Sequence, residues 1–111
     1  MIPRKAFMQI ATVTGVDQYI VVDHMGQIIA HDIKDPERSA GMVFACGRNA
    51  YAIGKTRLKY VLFPRENQKN FFIFPVGNYY LGVVKEHSID NSVLTDNIMT
   101  FLTGLLKVRP Q

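Results

Sequence analysis

Gly54-Lys55-Thr56 has the residue types that close a nucleotide phosphate loop, a glycine followed by the lysine and hydroxyl that reach phosphate and magnesium. The full loop also requires an earlier glycine, which would fall at position 49, and the chain has Asn49 there. It further requires a helix that begins at the lysine, whereas the surrounding pattern predicts a helix that ends at it. Nucleotide hydrolysis by this chain is therefore not expected. His24, His31 and His87 have no metal-ligand spacing with one another or with Cys46. Cys46 falls in the middle of a predicted helix, away from a helix start that would stabilise a thiolate. Asp23 and Asp32 could pair as carboxylates for proton transfer, but an Asp before a Gly turn first serves the turn by accepting backbone amides. With no catalytic constellation, the expectation is a non-enzymatic chain with no metal and no cofactor.

The elements that would position any site are visible as four apolar runs, Tyr19–Val22, Tyr60–Phe63, Phe71–Phe74 and Tyr79–Val84. Alternate side chains on a strand point to opposite faces, so an unbroken apolar run means that both faces are covered. Hairpin signals between the runs predict a mostly antiparallel sheet, which usually wets one face. Both faces being apolar predicts an α+β fold with a small sheet sandwiched between helices. A chain of 111 residues, 48% hydrophobic and 20% charged, suits one ordered domain covering 1–111 without disulfide or metal support. Cys46 alone excludes an internal disulfide and fits a reducing compartment.

The net charge of +4 raises nucleic acid as a partner, but the positions of the charges argue against it. Lys55, Arg57 and Lys59 form the densest local cluster, and most other basic residues are interspersed with acids such as Asp32, Asp35, Glu37, Glu66 and Asp90. No nucleic acid partner is expected. The longest apolar stretch, Phe71–Val84, contains Pro75, Gly77 and Asn78 and is too short to span a bilayer as a helix. Gln9, Thr12 and Thr14 interrupt any signal core in Ala6–Val16. No membrane insertion and a cytoplasmic location are expected.

Along the chain, Pro3–Thr12 reads as a short helix with Ala6, Phe7, Ile10 and Ala11 on one side. Asp17–His24 and Gln27–Asp32 read as two strands around Met25-Gly26. Asp35-Pro36 then starts a helix that runs to about Ile53 and is terminated by Gly54. Arg57 to Glu86 reads as a three-strand meander, broken by Pro64–Asn70 and by the Gly77-Asn78 turn. Ser88 is the predicted cap of a last helix whose Ile89, Val93, Leu94, Ile98, Phe101, Leu102, Leu105 and Leu106 form a broad apolar face.

This order brings together residues that resemble a known family. Gly15-Val16, Tyr19-Ile20-Val21-Val22-Asp23, Gly26 and Ile28-Ile29-Ala30 are similar to the opening hairpin of the Roadblock/dynein light chain family. Phe71-Phe72-Ile73-Phe74-Pro75-Val76, Gly77-Asn78 and Tyr79-Tyr80-Leu81-Gly82-Val83-Val84 resemble its fourth and fifth strands. The resemblance spans about Phe7 to Leu106 and departs from the family at the start, where the family usually has a longer first helix. It implies a five-stranded, roadblock/profilin-like (longin-like) sheet, with the middle helix on one face and the terminal helices on the other. It also implies a dimer in which the middle helix and third strand of each copy meet. Many members bind or regulate small Ras-like GTPases, and some act as adaptors on motor complexes.

At 100° per residue, Ala40, Val43, Phe44, Gly47, Ala50, Tyr51 and Gly54 fall in one arc of about 120°, enough to cover a sheet face. Met42, Cys46 and Ile53, with Asn49 beside them, occupy an adjoining arc, so the helix has more apolar surface than one sheet needs. A second copy is the expected cover; packing by the first helix or a loop is the alternative. Gly41 and Gly47 each cost about 1 kcal/mol relative to Ala inside a helix, which close approach of another backbone would offset, unless they are simply tolerated. The predicted strand Arg57–Phe63 has no internal proline and is available for edge pairing, although Arg57 and Lys59 on one face could instead guard against aggregation. The expected homodimer interface is thus Met42, Cys46, Asn49, Ile53, Arg57, Lys59, Tyr60 and Val61. Arg38 and Arg48 are expected to be exposed on the middle helix, and neither is nominated as a catalytic arginine. The expected function is a regulator or adaptor of a small Ras-like GTPase. Two other readings are a profilin-like or sensor-like small-molecule domain, with Tyr19, Tyr60, Tyr79 and Tyr80 as the polar ends of a pocket, and a scaffold subunit of a larger assembly.

Overall fold

A computed structural model describes residues 4–54, 61–63 and 71–107, with side chains described for 4–46 and 71–105. The elements are α1 (Arg4–Met8) continuing into a 3-10 turn (Gln9–Thr12), β1 (Val16–Asp23), β2 (Ile28–His31), α2 (Pro36–Gly54), β3 (Val61–Phe63), β4 (Phe71–Val76), β5 (Tyr79–Lys85) and α3 (Asn91–Lys107). The strands lie in the order β2-β1-β5-β4-β3, and every neighbouring pair is antiparallel. Among the described side chains β1, β2, β4 and β5 supply the strand part of the two cores, and β3 extends the sheet beyond β4 through its pairing of Val61, Leu62 and Phe63 with Ile73, Phe72 and Phe71.

Three of the four unbroken apolar runs work as the strand geometry demands; of the fourth, Tyr60 lies outside the described residues and Val61–Phe63 are described through their backbone. Tyr19, Val21, Phe72, Phe74, Val76, Leu81 and Val83 point to one face, where Phe7, Ile10, Leu94, Ile98 and Leu102 cover them. Ile20, Val22, Phe71, Ile73 and Val84 point to the other, where Ala40 and Val43 of α2 cover them. The middle helix therefore lies on one face and the terminal helices on the other. No polar or charged side chain is buried among the described residues.

The first helix is short, and Phe7 and Ile10 anchor it, both fully buried against the α3-side core; Ala11 is exposed. The last helix starts later than Ser88. The Asp90 carbonyl accepts from Leu94 N–H at 3.1 Å and closes its first turn. Ser88 is held in the preceding turn, where Lys85 Nζ donates to the carbonyls of Glu86 and Ile89. Ile89 still packs on the α3-side core from that turn, while Val93, placed on the apolar face by periodicity, is exposed. Among the described pairs β3 opposes only Phe71 to Ile73, so Pro75 comes after the last of them and removes no described bond on that side.

Candidate interaction surface

Asp23 and Asp32, the two candidate carboxylates, are tied down separately by the first hairpin. Asp23 carboxylate oxygen accepts from Met25 N–H at 2.8 Å and Gln27 N–H at 2.9 Å, while Gly26 at φ 85° makes the reversal. Asp32 carboxylate accepts from Tyr19 N–H at 2.7 Å, and Asp32 N–H donates back to the Tyr19 carbonyl at 3.1 Å. With Tyr19 and Asp23 four residues apart on β1, the two carboxylates sit at opposite ends of the hairpin, roughly 13 Å apart at strand rise. Burial, with the Asp32 carboxylate adding to it and Arg4 opposing it, raises the Tyr19 phenol above its ordinary range. His24, His31 and His87 are all exposed, and the described residues contain no group of three or more metal-binding side chains.

Helix α2 begins where Asp35-Pro36 directs it, the Asp35 carbonyl accepting from Ser39 N–H at 3.3 Å. Its described residues run to Gly54, and Lys55 and Thr56 lie outside the described residues; a helix leading into this glycine is the reverse of a phosphate loop, whose helix begins at the lysine. Its buried side sits close on the sheet because Gly82 of β5 has no side chain. A Cβ there would lie 2.6 Å from both Val43 and the Phe71 ring. On one flank Phe44 lies over the hairpin turn at Gly26 and meets Tyr80 edge to face at 6.2 Å. On the other flank Met42 and Cys46 are half-buried against the same core. Gly41 and Ala45, one turn apart on the outer side, are exposed, and nothing described lies within 4 Å of a Cβ built on Gly41.

The Met42 flank leads to the sheet edge. Met42 and Phe71 line one cleft, Phe71 pairs with Phe63 of β3, and α2 passes close to β3. Of the expected interface residues, Met42 and Cys46 are thus half-buried at this margin. Asn49 and Ile53 fall in the last turns of α2 and Val61 at the start of β3, described through their backbone; Arg57, Lys59 and Tyr60 lie outside the described residues.

The cleft itself, about 430 Å³, opens between the start of α2 and the sheet. Its floor is a single cross-strand row in which Gln18 pairs with Val84 and Val84 with Phe71. Ile33 and Met42 form apolar walls, and Lys34, Asp35 and Arg38 stand at its margin. Sequence reasoning did not find this feature. Its one local signal is Gln18, a polar residue on the sheet face that continues as Ile20 and Val22. The tyrosines do not converge on a pocket: Tyr19 and Tyr79 lie on the α3 side, Tyr79 against Phe7 at 5.0 Å, Tyr80 lies on the α2 side, and Tyr60 is outside the described residues.

An antiparallel sheet with β2 and β3 at its edges, α2 on one face and the two terminal helices on the other, invites comparison with solved structures. MglB of Myxococcus xanthus superposes with a TM-score of 0.66 at 20% identity, over 92% of this chain and 88% of that one. The Roadblock/LC7 domain from Streptomyces avermitilis gives 0.65 at 14% identity, over 91% of each chain. The fold is that of Roadblock/LC7 domains. Acanthamoeba castellanii profilin IB shares the architecture, with a TM-score of 0.61 at 13% identity over 87% of this chain and 90% of that one. No protein-family model matches the sequence, and no curated protein matches it. At these identities the likeness establishes the roadblock fold and leaves activity to be argued from the surface. No helix among the described residues is long and apolar enough to cross a membrane.

Proposed function

We propose that this chain is a non-enzymatic roadblock-type interaction module that pairs with a second copy through α2 and β3, and that the pair regulates or tethers a small Ras-like GTPase. The observation that carries the reading is the adjacency of the half-buried Met42 and Cys46 flank of α2 to the sheet edge at β3. An edge strand offers unpaired backbone groups, and among the described side chains of α2 Gly41 and Ala45 are small and exposed one turn apart, so a second backbone can approach closely there. Fold likeness adds support, since one solved MglB has a tetrameric arrangement. Binding one nucleotide state of the GTPase more tightly than the other shifts its population toward that state, and this needs no catalytic side chain from the module.

Light scattering across a concentration series tests the pairing. The expected mass is about twice 12.6 kDa, falling to the monomer in Cys46→Arg or Ile53→Arg. Pulldown of a small GTPase from the same source, loaded with GTP analogue or GDP, tests the rest: retention must differ between the two states, and equal or absent retention removes the GTPase role.

A further inference from the structure

Taking α2 and β3 as the interaction surface, a reading on which this inference rests, we propose that the surface takes an acidic protein partner, whose carboxylates answer the positive charge carried between Pro36 and Phe63. That charge is unevenly placed in the chain. From the start of α2 to the end of β3 there are five basic residues, Arg38, Arg48, Lys55, Arg57 and Lys59, and one acid, Glu37, a balance of +4. The chain has 13 basic and 9 acidic residues in all, so the remainder holds eight of each and sums to zero. The flanks do not offset the excess: Lys34 and Asp35 cancel, and Arg65, Glu66 and Lys69 add a further +1. Lys55, Arg57 and Lys59 lie outside the described residues, yet none is more than three residues, about 11 Å of extended chain, from Gly54 or Val61. Arg38 is exposed on α2 and has no ion pair with a described residue. The whole net charge thus belongs to the stretch that supplies one covering helix and one sheet edge.

Partners present complementary potentials across an interface, and like charges set face to face cost affinity. A second copy brings the same +4 to α2 and β3, so its pairing works against charge, whereas an acidic surface works with it. Two other anions fit less well. Arg38 and Arg48 stand ten residues, about 15 Å, apart along the helix axis, with Gly41 and Ala45 exposed between them. Nucleic acids carry a charge at every phosphate and are held by denser cations or by stacking on aromatics, but the exposed described side chains of α2 are Glu37, Arg38, Gly41 and Ala45. A bilayer needs apolar anchors beside the cations, and the large apolar side chains exposed among the described residues, Met8, Met25, Ile28 and Val93, all lie off α2. A folded protein with carboxylates at intervals fits both the spacing and the sign. Salt screens exposed charges, with a Debye length of about 10 Å at 0.1 M, so it tightens the pairing of copies and loosens the acidic partner.

Light scattering over a protein concentration series gives the pairing constant at low and high NaCl, about 0.05 M and about 0.5 M. The dissociation constant of the pair is expected to fall about fivefold or more at the higher salt. Arg38→Glu with Arg48→Glu leaves three charges of each sign between Pro36 and Phe63 and is expected to remove that salt dependence. A glutamate decapeptide stands in for the partner in titrations followed by amide NMR. The native chain binds it saturably at low salt, with shifts on α2, and the double variant binds it at least about fivefold more weakly. The salt series on the native chain decides even if the variant does not fold. A chain that is monomeric at every salt but binds the decapeptide ends the pairing reading and upholds the acidic partner. A pair that loosens or stays constant as salt rises, a native chain that ignores the decapeptide, or a folded variant that binds it equally overturns the proposal while pairing stands. So does retention of duplex DNA or phosphatidylserine vesicles at about 0.15 M salt where the decapeptide is not retained, since a phosphate ligand then fits the surface better.

Discussion

The two faces of the sheet are closed in different ways. On the α3 side, two separate segments contribute Phe7, Ile10, Leu94, Ile98 and Leu102 against Phe72, Phe74 and Leu81, almost all fully buried. On the α2 side, among the described residues, one helix and Ile33 just ahead of it cover the sheet. The helix leaves Met42, Phe44 and Cys46 half-buried at its margins and a cleft at its start. The lesson is a division of labour. The face covered from two directions is expected to supply more of the stability, while the face under α2 keeps half-buried margins, where the proposed partner would bind.

The contrast is broken or upheld first by truncating one aromatic on each face. Phe72→Ala removes a fully buried ring from the closed side and is expected to cost about 3–5 kcal/mol, a large part of the stability of a domain this size. Phe44→Ala, at a margin of the open side, is expected to cost about 1–2 kcal/mol. Urea midpoints with unchanged slopes measure both. Equal losses at the two positions would show that the faces share the load and would end the division.

Gly82→Ala sharpens the point from the opposite direction, by adding volume. The new Cβ would meet Val43 and Phe71 at 2.6 Å, so α2 must lift or the Phe71 ring must turn. A loss of about 1–3 kcal/mol is expected, the usual cost of overpacking. Because Phe71 is also the cleft floor, amide shifts in the variant should spread to Ile33 and Val84 and spare Ile98. Changes centred on α3 would contradict the separation of the two cores.

How much of this was legible depends on the range of the interaction. The two-sided strands were visible as consecutive apolar residues, because a strand with both faces covered has no polar alternate. The first hairpin was visible through Asp23 and Gly26, whose bonds span four residues at most. The start of α2 at Asp35-Pro36 was equally local. Ser88 misled because a serine before an apolar period looks like a cap, while the Lys85 ammonium, bonding two nearby carbonyls, keeps that stretch in a turn. The cleft was out of reach. Its floor joins Gln18, Phe71 and Val84 from three strands, and no local pattern announces that register.

A smaller effect is expected at the hairpin that supports the open face. Asp23→Ala loses two amide contacts that are partly exposed to water, for about 1 kcal/mol. Since Gly26 sits beneath Phe44, the disturbance should appear in the Phe44 and Tyr80 ring resonances as well as in the turn. A stability loss without any change in those rings would mean that the hairpin tip and α2 are energetically separate.

The smallest expected effect has the most to say about the open face. Gly41 is exposed in the middle of α2, with no described atom within 4 Å of a Cβ placed there. In an isolated chain Gly41→Ala should therefore stabilise by up to about 1 kcal/mol, since alanine loses less backbone freedom in a helix and meets no obstacle. If a second copy packs against this turn, the added methyl separates the two helices. The same substitution then weakens association while still stabilising the monomer. Urea midpoints at high and low protein concentration separate the two cases, because only association makes the midpoint concentration-dependent. A gain at low concentration that shrinks or reverses at high concentration places the partner on the Gly41 side of α2. An equal gain at both concentrations leaves this turn facing solvent and confines any pairing to the Met42 flank and β3.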